Sequence, residues 1–247
     1  MTAALHLTIR EGRQRCVLLL HGGGVGGWMW TPLEAELDPG IRMLVPDLPG
    51  HDRSGAVAYR SHDETVECLI SIIEAEASEP VVVVGFSLGA QLAVLLASRR
   101  PDLVRDLVVI SAQAEPSAFP ALPLALVGLA APLARLERFA RLQAKALFVP
   151  ERLTEDYLRT SKGISRATLL ASVGENVRFT IPDEWGTFAG SSLVLVGAEE
   201  RPMMRRSARR IADAHPRSEL EIVADCGHGI PLQKPEWLAR RIDGLLA

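Results

Sequence analysis

Four consecutive valines, Val81-Val82-Val83-Val84, run into Gly85-Phe86-Ser87-Leu88-Gly89 and then into Ala90-Gln91-Leu92-Ala93-Val94-Leu95-Leu96-Ala97. Side chains branched at Cβ are stiff at χ1, so a short apolar run of them reads as a buried strand. The residues after Gly89 are good helix formers. A strand that turns directly into a helix needs a sharp corner, and the positions two before and two after its apex must be small because the backbones crowd there. Gly85 and Gly89 fill those positions, and Ser87 is the apex. G-x-S-x-G alone is a common string. The strand before it and the helix after it make it a nucleophile elbow.

A serine hydroxyl is a weak nucleophile until a base takes its proton. The base expected here is a histidine in a loop after a late strand. His228 fits, with Gly227 and Gly229 on either side to let the ring reach. His6 is near the terminus, His51 and His62 lie in or beside an expected surface loop, and His215 ends an expected helix. His21 opens a glycine loop and is expected to organise it. The histidine in turn needs an acid to fix its tautomer, and chain order places that acid between nucleophile and histidine. Glu200, just after the strand ending at Gly197, is the first choice; Glu199 and Glu115 are the alternatives.

His21-Gly22-Gly23-Gly24-Val25-Gly26-Gly27 follows a second buried strand at 16–20. Gly22, Gly24 and Gly27 have the spacing of a dinucleotide loop, but the bulk of Trp28-Met29-Trp30 would crowd a pyrophosphate, and no Gly-Lys-Ser/Thr follows. The loop is better explained as a source of an oxyanion donor. The backbone N–H of Gly23, or less favourably Gly24, would pair with that of Leu88 at the start of the helix.

Strands are expected at 5–9, 16–20, 41–45, 81–84, 107–110, 193–197 and 220–223, and helices at 28–37, 61–77, 202–215 and 235–246. Ser61 or Asp63 would cap the second of these helices. Strands alternating with helices predict an α/β domain with a mostly parallel sheet covered on both faces. The rhythm stops over residues 112–185, where only helical patterns occur, chiefly 132–148 and 153–170. An insert of ~70 residues far exceeds an ordinary connection of ~4–6 residues and predicts a helical cap over the carboxyl edge of the sheet. The domain reading is therefore a core of residues 1–111 and 186–247, with 112–185 as the cap. Phe119, Leu122, Leu124, Leu126, Leu129, Phe148 and Phe179 in the insert predict a mostly apolar substrate pocket, with Trp28, Trp30 and Phe86 as its floor.

Of the 247 residues, 48% are apolar and 23% charged, ordinary values for a soluble globular chain. A net charge of −3 makes no electrostatic case for a nucleic-acid or acidic-membrane partner. Arg205, Arg206, Arg209 and Arg210 read as a solvated helix face. Three dispersed cysteines, Cys16, Cys68 and Cys226, suggest neither a disulfide framework nor a zinc site and fit a reducing compartment. The first ten residues lack the order of a signal peptide, and the apolar stretch 119–133 is broken by Pro120, Pro123, Gly128 and Pro132. A cytoplasmic protein acting on a small molecule is expected; its oligomeric state is not legible.

The sequence resembles the α/β-hydrolase fold superfamily, in the capped branch with a serine nucleophile that holds esterases and C–C hydrolases. His21-Gly22-Gly23-Gly24 is similar to the family's oxyanion loop, Gly85 to Gly89 to its elbow and Gly227-His228 to its histidine loop. Asp47-Leu48-Pro49-Gly50-His51-Asp52-Arg53-Ser54 resembles its D-x-x-G-x-G-x-S loop, with Asp52 in place of the second glycine. The usual acid of the family is an aspartate three residues after the glycine that ends its strand, where this chain has Glu200. Serine at the apex separates the chain from the branches that attack with aspartate. The resemblance implies an ester-cleaving serine hydrolase, carboxylesterase-like, with no metal or organic cofactor. A C–C hydrolase or lyase on the same triad, or a ligand-binding relative without turnover, is the alternative.

Overall fold

The computed structural model describes residues 4–117, 119–130, 133 and 136–246. Seven strands form one sheet: β1 (Leu7–Arg10), β2 (Cys16–Leu20), β3 (Arg42–Pro46), β4 (Val81–Phe86), β5 (Val104–Ile110), β6 (Ser192–Gly197) and β7 (Ser218–Val223). Their spatial order is β1-β3-β2-β4-β5-β6-β7, with β1 antiparallel to β3 and every other pair parallel. Strand side chains alternate between faces, and β2 shows the consequence. Val17 and Leu19 enter one apolar layer, Leu18 and Leu20 the other.

Helices cover both layers. On one side lie α2 (His62–Glu76), α3 (Leu88–Arg99) and α8 (Pro202–Asp213); on the other, the short α1 (Thr31–Glu34) and α9 (Ile230–Gln233) and the longer α10 (Pro235–Leu246). Ser61 caps α2 by accepting from Glu64 N at 3.1 Å. The helix expected over 28–37 is a 3-10 turn, Gly27–Trp30, followed by α1 alone. Among the described residues four α-helices stand between β5 and β6: α4 (Ala121–Ala130), α5 (Glu137–Ala146), α6 (Thr154–Gly163) and α7 (Arg166–Arg178). The single helix expected over 153–170 is thus two. The chain leaves α6 at Gly163, and Ser165 starts α7 by accepting from Thr168 N.

Polar contacts from α6 and α7 tie these helices to the sheet domain; at α7, Glu175 accepts from His62 N and Asn176 from Gln91 Nε2. Asp52, at positive φ of 40°, occupies the place where the resemblance expects glycine. Its carboxylate receives both Nε and Nη2 of Arg159 on α6 at 3.1 Å. Trp28 Nε1 donates to Thr160 Oγ1 at 2.9 Å. Phe119, Leu122, Leu126 and Leu129 face solvent instead of lining a pocket, and Phe179 is buried in the core. Pro132 lies outside the described residues, as do Met1, Thr2 and Ala3 of the amino-terminal reading. Among the described residues no helix is long and apolar enough to cross a membrane.

Candidate active site

The corner at Ser87 is as tight as its glycines require. A Cβ on Gly85 would stand 2.4 Å from Gly89 O, and one on Gly89 would stand 2.2 Å from Leu20 O. Ser87 itself has φ 52° and ψ −112°. That conformation costs of order 1–3 kcal/mol at a residue with a Cβ. It is held by Ser87 N donating to Ile110 O at 2.8 Å, and it places the side chain above the carboxyl end of β4.

Four neighbouring strands deliver four side chains to this edge: Ser87 after β4, Ser111 after β5, Glu200 after β6 and His228 after β7. His228 Nδ1 lies 2.8 Å from Glu200 Oε2, and Nε2 lies 3.3 Å from Ser87 Oγ. A carboxylate only accepts, so Nδ1 carries the proton and the Nε2 lone pair faces the hydroxyl. Glu200 is buried, yet its second oxygen is also occupied: Oε1 accepts from Ser111 Oγ at 2.5 Å and from Gly197 N at 3.1 Å. Burial pushes its pKa up, but the hydrogen bonds from His228, Ser111 and Gly197 and the nearby imidazole outweigh it and hold the carboxyl below its ordinary value.

The acid and histidine loops are pressed together. A Cβ on Gly197 would meet both Cys226 O and Gly227 O at 2.3 Å, and Glu199 N donates to Cys226 O. Arg205 clamps the acid loop from α8, donating to Ala198 O and Glu200 O at 2.6 and 2.8 Å. Of the alternative acids, Glu199 is exposed at the mouth of the site. Glu115 is engaged by Arg206 at 2.9 and 3.2 Å. Ser111 was not anticipated; its signal was its place immediately after the strand between those of Ser87 and Glu200.

The glycine loop presents Gly23 at the surface beside Leu88. Neither the Gly23 nor the Leu88 amide finds a hydrogen-bond acceptor among the described residues. Gly24, at φ +81°, makes the turn. Beneath it, Leu48 N donates to His21 Nε2 at 2.9 Å, so His21 Nδ1 carries the proton toward Gly22 O at 2.7 Å. Asp47 accepts from Gly27 N at 2.8 Å and from Arg53 Nε at 2.8 Å.

Three histidines read as peripheral are buried instead. His51 donates to Pro49 O, His62 lies between Tyr59 and Gln91, and His215 packs against Trp185 and Phe188. Burial lowers the His21 pKa to about 4; burial, with His21 nearby, lowers that of His51 to about 3. In an unfolded chain both would take up protons near pH ~6.5. Below that pH the unfolded state binds more protons than the folded one, so stability falls with falling pH until the folded rings titrate. The slope is roughly 1.4 kcal/mol per pH unit for each histidine. These two rings alone should make urea unfolding at pH 7 and pH 5 differ by about 4 kcal/mol. Buried His62, whose pKa is also lowered by burial, adds in the same direction, and His51→Gln should reduce the slope by about one ring's share over this window. An unchanged slope in that variant would contradict a neutral buried His51.

Two spaces adjoin Ser87 and His228. One, of about 420 Å³, is bordered by Gln113, Phe148, Asn176, Glu199, Arg201, Met203 and Met204. Its walls are part polar, unlike the apolar pocket expected. The other, of about 40 Å³, is bordered by Gly23, Val25, Met29, Phe86, Leu147 and Leu232. Phe86 thus borders the site, its ring centroid 5.0 Å from that of His228. Trp30 is fully buried and Trp28 nearly so; both belong to the core layer and border neither space, because the 3-10 turn carries them inward.

Residues 17–241 match the family model described as the alpha/beta hydrolase family. The chain belongs to this family. It is 28% identical over 253 aligned positions to a pimeloyl-[acyl-carrier protein] methyl ester esterase of Aromatoleum aromaticum, covering 93% of this chain and 97% of that one. It is 25% identical to a 2-hydroxy-6-oxononadienedioate/2-hydroxy-6-oxononatrienedioate hydrolase of Klebsiella pneumoniae, covering 92% and 85% of the two chains. Among solved structures, an esterase from Exiguobacterium antarcticum superposes with a TM-score of 0.84 at 17% identity, covering 98% of this chain and 95% of that one. At that identity the likeness speaks for the fold alone.

Proposed function

We propose that this chain is a serine hydrolase that cleaves a carboxylic ester, or a related acyl compound, through an acyl-enzyme. One observation carries the reading: a single imidazole lies within reach of both the Ser87 hydroxyl, at 3.3 Å, and a buried carboxylate, at 2.8 Å. Such distances in an unliganded site shorten when substrate binds. Ser87 Oγ attacks the acyl carbon as its proton passes to His228 Nε2. The carbonyl oxygen becomes an oxyanion between the N–H groups of Gly23 and Leu88. Collapse breaks the ester bond, and the proton on Nε2 leaves with the alcohol. Water, deprotonated by the same nitrogen, then attacks the acyl-serine and releases the acid.

The part-polar walls of the larger space favour a small molecule with both apolar and polar portions, and the name of the esterase relative favours an ester as the bond cleaved. A fluorophosphonate probe should label Ser87, and Ser87→Ala should abolish the label. Turnover of p-nitrophenyl esters of graded chain length should be lost in the same variant. A chain that neither labels nor turns over any ester would refute the reading.

A further inference from the structure

The segment after α5 separates the two spaces at Ser87. Leu147 borders the small one and Phe148 the large one. Consecutive residues reach opposite sides because Phe148 takes a positive φ of 60°, a conformation strained for a bulky side chain. The segment is seated on the histidine loop on both sides of His228. A Cβ on Gly227 would stand 3.0 Å from the Phe148 ring, and one on Gly229 would stand 3.1 Å from that ring and 3.2 Å from Leu147 O. Phe148 N and Val149 N close the turn back onto Lys145 O and Ala144 O.

The small space has little means to grow. Val25, Met29 and Leu232 are buried members of the core layer, and Phe86 is fixed by the elbow. Packed walls of this kind resist displacement. At about 40 Å³ it compares with the roughly 30 Å³ that one water occupies in the liquid. A carbonyl oxygen directed at Gly23 leaves room for one or two carbon atoms. The large space is about 420 Å³ and reaches Arg201, an exposed cation with no ion pair among the described residues.

Resting on the hydrolase reading, we infer that the Leu147–Phe148 turn divides the substrate at its scissile bond. One side is restricted to a methyl- or ethyl-sized group bounded by Met29, Leu147 and Leu232. The other side is long and partly polar and extends past Phe148 toward Arg201. Leu147 is on this account the residue that sets the size limit.

The test is kcat/KM for methyl hexanoate, hexyl acetate and hexyl hexanoate, read by acid release, with fluorophosphonate labelling of Ser87 in parallel. Hexyl hexanoate should be slower by about a hundredfold or more than whichever mixed ester is better, since a hydrophobic pocket discriminates by roughly 10- to 200-fold per carbon. Leu147→Ala should raise the ratio of hexyl hexanoate to the better mixed ester at least about tenfold. Leu147→Phe, a change in the opposite direction, should suppress the better mixed ester by a similar factor with its far-UV spectrum unchanged. Wild-type hexyl hexanoate turnover within tenfold of both mixed esters, or a ratio that neither variant moves, overturns the inference. If Ser87 labels and esters turn over without this size limit, the hydrolase reading stands and only the division fails. If neither labelling nor turnover occurs, both fall.

Discussion

His228→Ala is expected to lower kcat for ester turnover by roughly ten-thousand- to million-fold, with KM changed little. The Ser87 hydroxyl has one basic partner, the Nε2 lone pair at 3.3 Å; without it, water must take the proton and no group returns it to the leaving alcohol. On the proposed mechanism the residual rate would come from the Gly23 and Leu88 amides, whose action on the oxyanion would not need the base. Folding should survive, because the ring is about one-third exposed and lies at the end of a loop. The variant leaves Glu200 Oε2 without its partner, at a cost of about 1–3 kcal/mol in stability. A chemical role is separable from a structural one by rescue. The space beside His228 is large enough for free imidazole, so millimolar imidazole should restore part of kcat without altering the melting temperature. A variant within tenfold of wild type would leave the proposed reaction without a base.

The parts of this molecule legible in advance are those where sterics leave one choice. Gly85 and Gly89 have no room for a Cβ, so the elbow is written in the glycines themselves. The alternation that splits β2 between two core layers is likewise local, and β2 and α10 occupy the expected residues. What was hidden depends on contacts distant in sequence. Glu199 and Glu200 are neighbours with the same side chain. Which one turns inward is decided by Ser111, the Gly197 amide and the approach of the 226–227 backbone, none of which a local pattern reveals. Trp28 and Trp30 beside a glycine loop look like a pocket floor, but a 3-10 turn where a longer helix was expected rotates them into the core. The inserted helices were the least readable. Amphipathic periodicity locates a buried face, and α4 is apolar nearly all round while several of its leucines face solvent.

Glu200→Gln should reduce kcat by about ten-thousandfold, far more than its near-isosteric shape suggests, because the surroundings dictate which way the amide points. Both Ser111 Oγ and Gly197 N donate to the oxygen that occupies the Oε1 position. A glutamine that keeps those bonds must put its carbonyl there and turn its NH₂ toward His228 Nδ1. An NH₂ group can only donate, so Nδ1 must become the acceptor and the imidazole proton moves to Nε2, facing Ser87. In that tautomer the ring has no lone pair for the hydroxyl proton, although the packing is nearly unchanged. Glu200→Asp, which keeps the charge and the acceptor but shortens the reach, should lose less. Glu115→Gln should stay within about twofold of wild type, since Glu115 is half-buried at the surface and engaged by Arg206 rather than by the imidazole. The comparison is kcat for the three variants on one ester at a pH where the wild type is on its plateau. Comparable losses at positions 200 and 115, or a loss below tenfold in Glu200→Gln, would show that the buried carboxylate does not orient the base.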